Sequence, residues 1–258
     1  MEYVNSLVLG IVQGISEFLP ISSTGHLILT ARLLGLTQTE FLKTFEIVIQ
    51  LGSILSVLFL YWKRFFVDRE SLKRVIVAFI PTGILGFIFY KIIKSFLLSS
   101  ETVVLWTLLL GGAFLIFFEI FYKEKPEAHE DIATLPYKKA AILGLFQSIA
   151  MIPGVSRSAA TIIGGLSLGL KRKTIVEFSF LLAVPTMLAA SAFDLFKNAA
   201  SFNAGQFNFL AIGFIASFIV SLLSVKFLLN FIKKHTFIPF GAYRIVAAIV
   251  FWYFIILK

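Results

Sequence analysis

The chain has no cysteine, which excludes a disulfide framework and any thiol chemistry. It is also poor in charge. Asp, Glu, Lys and Arg make up 14% of its 258 residues, too few to clothe a soluble fold of this length. A secretory leader is not expected: Glu2 stands where a basic region belongs, and Glu17 interrupts the first apolar segment. The strict apolar–polar alternation of a β-barrel wall is missing. What fills the chain is apolar: 59% of residues are hydrophobic, against roughly 45–50% in soluble domains. The fold class that follows is an all-α integral membrane protein with the lipid bilayer as its partner. The formal net charge of +9 would suggest nucleic acid in a soluble protein. Here the Lys and Arg sit in loops, as the positive-inside rule requires, and no nucleic-acid partner is expected.

Taken in order, residues 3–19 are apolar and end at Pro20, and 27–35 are too short to span at about 1.5 Å per residue. Residues 1–35 therefore predict a re-entrant hairpin broken at 20–25. Spans are predicted at 44–62, 75–95 and 103–122. The basic loop with Lys63, Arg64, Arg69, Lys73 and Arg74 is cytoplasmic on the same rule, as is the loop at 123–139. Residues 140–152 end at Pro153-Gly154, and 158–170 lead to Lys171-Arg172-Lys173, predicting a second re-entrant hairpin. Spans follow at 176–193, 209–230 and 239–257, with an external loop at 194–208 that carries Lys197. The total is about six spans and two hairpins.

The halves align. Gln13 pairs with Gln147, Pro20 with Pro153 and Phe45 with Phe178, all 133 or 134 apart. Each half holds one hairpin and an odd number of crossings, so the two are read as inverted-topology repeats, 1–125 and 138–258, of one membrane domain, 1–258. The hairpin tips then meet near the midplane.

The tips carry the polar residues. Ser22, Ser23 and Thr24 stand at one helix start, Ser156 and Ser158 at the other. Such residues cap helices. The same positions offer free N–H groups and a partial positive charge that suit phosphate. Arg157 adds a fork matched to phosphate oxygens, or else an ion pair with Glu17. His26 lies three residues after Ser23 on one helical face, the usual arrangement for activating a hydroxyl. Glu17 has three readings: it orients His26, binds a divalent metal or acts as a base. Gln13 is one turn before Glu17, and Glu46 and Gln50 on the first span face the tips or serve as interhelical glue.

At these residues a family emerges. Gln13-Gly-Ile-Ser-Glu17-Phe-Leu-Pro-Ile-Ser-Ser-Thr-Gly-His26 resembles the (E/Q)xxxE and SSTGH motif of undecaprenyl-diphosphate phosphatases of the bacitracin-resistance type. Pro153-Gly-Val-Ser-Arg-Ser-Ala-Ala-Thr161 resembles their PGxSRSxxT motif. The segments from Phe45 and Glu177 are also similar, and the likeness runs essentially the whole length. The resemblance implies a multi-pass enzyme of the bacterial plasma (inner) membrane. Its activity would be hydrolysis of a C55 polyprenyl diphosphate to the monophosphate carrier of peptidoglycan synthesis, with bacitracin resistance, a divalent ion (Mg or Ca), no organic cofactor, and room for a homodimer. Carrier recycling would open the site to the outside. The expected catalytic set is Ser23 as nucleophile, His26 activating it, Glu17 orienting His26 or holding the metal, and Arg157 on the phosphate. The expected substrate-binding set is Gln13, Ser22, Thr24, Gly154, Ser156, Ser158 and Thr161. An activated water or Ser156 is the alternative nucleophile.

The other membrane lipid phosphatases need SRxxxxxHxxxD; Ile163 and Ser167 stand where His and Asp would be, which excludes that chemistry. The competing class is a transporter or flippase for a lipid (di)phosphate, since inverted repeats and broken helices are also a transporter pattern. A purely structural membrane protein leaves the paired polar tips without a purpose.

Overall fold

A computed structural model of the chain describes residues 2–37, 39–92, 100–197 and 206–256. The described residues are helical throughout apart from turns and one isolated β-bridge. In order the helices are α1 (Tyr3–Ser16), α2 (Ser23–Leu33), α3 (Glu40–Leu60), α4 (Trp62–Phe66), α5 (Arg69–Ile92) and α6 (Glu101–Phe121). The second half holds α7 (Tyr137–Ser148), α8 (Arg157–Ser167), α9 (Arg172–Lys197), α10 (Phe207–Phe231) and α11 (Ile238–Ile256). Short 3₁₀ turns lie at Ile132–Thr134 and Ile149–Met151.

Five of these, α3, α5, α6, α9 and α10, are long and apolar enough to cross a membrane; α1 and the Ile238–Phe254 stretch of α11 are apolar but shorter. The chain is therefore built as a multi-pass membrane protein. Helix starts are set by short polar side chains that take the first free N–H groups: Thr39 accepts from Leu42 N, and Ser100 from Val103 N. The same device moves one predicted boundary. α5 begins at Arg69 rather than at 75, because Asp68 accepts from both the N–H and the hydroxyl of Ser71. The predicted end of that span at 95, and most of the predicted external loop at 194–208, lie outside the described residues.

α3 and α9 bury the largest shares of their spans, 50% and 61%, against 22% for α5. They form the central pair. α10 packs on α1 and α3; α5 packs on α7 and α9; α6 and α11 pair with each other beside α2 and α8. Phe18, at the first break, sits edge-on to Phe180 of α9 with ring centroids 5.4 Å apart, which anchors that break to the central pair. Large apolar side chains such as Phe87, Phe114 and Phe227 stay exposed on the outer faces, as lipid-facing residues do. The link between the halves is tied down onto the α8–α9 corner. Lys171 N donates to His129 O (3.0 Å), His129 N to Gly169 O (2.9 Å), and Arg172 is paired to the buried Glu119. The Lys171 ammonium holds the Glu130 carboxyl below its usual range.

Close approach of α7 to α5 depends on Gly144. A Cβ there would overlap the Ala78 carbonyl oxygen, and the Gly144 carbonyl accepts from Thr82 Oγ1 at 2.8 Å. Gly144→Ala should lower the thermal midpoint in detergent by the equivalent of about 1–3 kcal/mol. Gly83→Ala on α5 adds a methyl in ordinary contact with the Phe79 ring and should leave the midpoint unchanged or raise it.

Candidate active site at two broken helices

Proline dictates both breaks, since it has no N–H to continue a helix and pushes its predecessor out of the α region. After α1, the chain runs through Pro20 to Ser22, whose φ of 75° lies in the left-handed region. After α7, it passes Pro153 and Gly154 (φ 88°) to Ser156, whose φ is 74°. A left-handed serine costs about 1–2 kcal/mol and persists only where the surroundings enforce it, most often at a functional site. Each serine caps the helix that follows: Ser22 Oγ accepts from Gly25 N at 3.4 Å and Ser156 Oγ from Ala159 N at 3.2 Å. The N-terminal turns of α2 and α8 thus start from matched, strained caps.

Between them lies a cavity of about 180 Å³. The first break supplies Glu17, Ser22, Ser23 and Thr24; the second supplies Pro153, Gly154, Ser156 and Arg157. Gln50, Thr82, Gln147 and Thr186 complete the polar wall. Glu17 is 5% exposed and is the hub. Its Oε2 accepts from Ser23 Oγ (2.7 Å) and Gln13 Nε2 (2.9 Å), and its Oε1 from Arg157 Nη2 (3.1 Å). Arg157 also donates from Nη1 to Ser179 O at 2.8 Å, while its buried Nε–H has no partner among the described residues.

Two expectations are corrected here. Ser23 does not hydrogen-bond to His26; its hydroxyl is given to Glu17. Both ring nitrogens of His26 are committed elsewhere. Nδ1 lies 2.8 Å from Ser22 O, which only accepts, so Nδ1 carries the proton. Nε2 of the neutral ring then accepts from Tyr243 OH at 2.9 Å, and the two rings stack at 5.5 Å. Glu17 accordingly orients Ser23 and Arg157, not His26. The second correction concerns Gln13, Ser158 and Thr161, which do not line the cavity. Gln13 holds Glu17, Ser158 Oγ donates to Phe18 O (2.9 Å) and so ties the breaks together, and Thr161 Oγ1 donates back to Arg157 O (2.9 Å). Of the two span residues proposed to face the tips, Gln50 lines the cavity and Glu46 does not.

The structure adds groups that the sequence reading passed over. Thr82 and Thr186 each follow a proline within a long helix, α5 and α9. Their hydroxyls donate to Gly144 O and Leu182 O, so toward Gln147 they only accept. That fixes the Gln147 amide. Nε2 donates to both threonines (3.2 and 2.9 Å), and Oε1 is left as a buried acceptor without a donor among the described residues. Arg244, fully buried on α11, reaches both breaks. Its signal was a charge in the middle of an apolar run, which is costly unless functional.

Among the described residues, no group of three or more His, Cys, Asp and Glu side chains could hold a metal ion. Of the residues that line the cavity, Glu17 carries a carboxylate and Gln147 an amide oxygen without a donor among the described residues. That set suits a magnesium-like ion bound through one or two protein oxygens and completed by phosphates and water.

A family model described as bacitracin resistance protein BacA matches residues 6–250. The chain belongs to this family. A BacA-family relative from Aquifex aeolicus, undecaprenyl-diphosphatase, is 58% identical over 95% of this chain and 96% of its own length. Relatives with the same name from Sulfurihydrogenibium sp. and Persephonella marina are 54% and 51% identical over 98% and 99% of this chain and the whole of theirs.

The strained cap gives this BacA-family site a direct test. Ser156→Gly loses a cap but relieves the left-handed backbone, whereas Ser156→Ala loses the cap and keeps the strain. The alanine variant should be the less stable by about 1 kcal/mol, read from thermal midpoints in detergent.

Proposed function

We propose that this chain hydrolyses undecaprenyl diphosphate to undecaprenyl phosphate and inorganic phosphate, and so returns the carrier lipid to peptidoglycan synthesis and confers bacitracin resistance. The observation that carries the chemistry is the 2.7 Å hydrogen bond from Ser23 to Glu17 inside a cavity faced by Arg157 and two helix starts. A hydroxyl bound to a carboxylate is a nucleophile with its base in place. The terminal phosphate enters between the starts of α2 and α8, and Arg157 offers it the unpartnered Nε–H.

Ser23 Oγ then attacks phosphorus while its proton passes to Glu17 Oε2. The bond from phosphorus to the bridging oxygen breaks, and its electrons leave with undecaprenyl phosphate. Glu17 passes that proton to the departing oxygen, then takes one from the water that attacks the phosphoserine and returns it to Ser23 Oγ as the bond between Ser23 and phosphorus breaks, which releases inorganic phosphate. Arg157 and the helix N-termini stabilise the charge on the transferred group. His26 acts at one remove by holding the Ser22 carbonyl. A divalent ion, where bound, would be held by Glu17 and Gln147 together with diphosphate oxygens and would neutralise phosphate charge.

The proposed setting is the bacterial plasma membrane, with α11 as a sixth span and α1–α2 and α7–α8 as re-entrant hairpins of inverted repeats. Helix packing supports this reading. Exchanging the halves turns the α1–α10 contact into α7–α5 and α3–α10 into α9–α5, and leaves α3–α9 and α6–α11 as self-partners.

Purified protein in detergent should release phosphate from undecaprenyl diphosphate. Ser23→Ala and Glu17→Gln should lower kcat by about 10²–10⁴-fold, and Arg157→Ala by about 10²–10³-fold. His26→Gln should lose at least about tenfold less than Glu17→Gln. Acid quenching of turnover on terminally labelled substrate should trap phosphate on Ser23. Label on another residue sinks the assignment, and absence of turnover with metal present favours a carrier that binds the lipid without cleaving it. Paramagnetic resonance of Mn²⁺ with a methylene-bridged diphosphate should report ion binding that Glu17→Gln and Gln147→Leu both weaken.

A further inference from the structure

Arg244 is 0% exposed, and among the described residues no carboxylate pairs with it. It donates instead to four backbone carbonyls. Nη1 reaches Val155 O (3.0 Å) and Pro20 O (3.4 Å); Nη2 reaches Gly154 O and Thr107 O (2.9 Å each). Three of these carbonyls belong to the two breaks, where no helical N–H is available to them. The fourth is on α6, whose Thr107 Oγ1 also donates to Pro153 O at 2.6 Å. Space for the guanidinium comes from the Gly111-Gly112 pair of α6: a Cβ at Gly111 would overlap it. One side chain therefore fixes both breaks relative to each other. A cation bound only by carbonyl dipoles keeps its net charge, and in a low-dielectric interior that charge acts over a longer range than it would in water.

We infer that Arg244 is the positioning residue of the site: it holds the starts of α2 and α8 in register and places an uncompensated positive charge behind the diphosphate cavity. The inference rests on the reading of that cavity as a diphosphate site. Arg244 touches no substrate; it acts through the backbone whose N–H groups do, and through its field.

The experiment compares the wild type with Arg244→Lys, Arg244→Met and Gly111→Ala, all as purified full-length protein. It reads kcat and KM for phosphate release, direct equilibrium binding of inorganic pyrophosphate, and the thermal midpoint. Lysine keeps the charge but cannot span four carbonyls. Its pyrophosphate affinity should stay within about threefold while kcat falls at least about tenfold. Methionine removes the charge as well, so pyrophosphate affinity should fall at least about tenfold and kcat at least about a hundredfold. Gly111→Ala displaces an intact guanidinium and should reproduce the lysine pattern; it decides the matter where arginine variants do not fold. Folded Arg244→Lys or Gly111→Ala with wild-type kcat overturns the positioning role, and Arg244→Met with wild-type pyrophosphate affinity overturns the electrostatic one. Losses that track only the folded fraction, with kcat per folded molecule unchanged, also overturn it. A wild type that binds pyrophosphate and releases no phosphate counts against the phosphatase reading, and the pyrophosphate comparison then decides Arg244 by itself.

Discussion

An unpaired peptide carbonyl inside an apolar fold costs several kcal/mol, and two proline breaks create a cluster of them at one place. The centre of the molecule is organised around satisfying that cluster. Arg244 takes Pro20, Gly154 and Val155; Thr107 takes Pro153; Ser158 takes Phe18. Each donor comes from an element other than the break it serves. The breaks are therefore stable only in the assembled fold, and the assembled fold is held by the breaks. With those carbonyls taken, the first residues of α2 and α8 (Ser23, Thr24 and Arg157) line the cavity, and a helix start is the end that suits an anion.

Charge inside the fold is kept small and directed. Glu17 and Arg157 neutralise each other, and three donors fix the carboxylate. In the proposed reaction an anion entering the cavity competes with Glu17 for Arg157. As that contact loosens, Glu17 keeps its hydrogen bond to Ser23. The ion pair thus limits the desolvation cost of two buried charges.

Much of this was legible in the sequence. Among the described residues, apolar runs and prolines placed ten of the eleven α-helices, missing the five-residue α4, and polar residues in apolar surroundings marked both breaks. Caps such as Asp68 shifted a boundary because a local hydrogen bond outweighed the apolar pattern. Partner choice was not legible. Spacing puts Ser23 and His26 on one helical face, but it says nothing of Tyr243 or of a carbonyl turned toward the ring by the left-handed Ser22. Thr82, Thr186 and Gln147 are far apart in the chain, and only packing shows that two threonines with their protons spent elsewhere fix an amide.

The repeat alignment sharpens the division of labour. Where the halves agree, the residues shape the breaks: Pro20 and Pro153 break, and Ser22 and Ser156 cap with nearly equal φ. Where they differ stand the residues of the proposed chemistry. Glu17 stands opposite Met151, Ser23 opposite Arg157, and His26 opposite Ala160. A symmetric pair of tips would present like groups to each other, two hydroxyls or two cations. In the proposed reaction these differences give one tip the nucleophile and its base, and the other the cation. An anion held between unlike tips meets attack from one side and charge stabilisation from the other, which neither half could provide by itself.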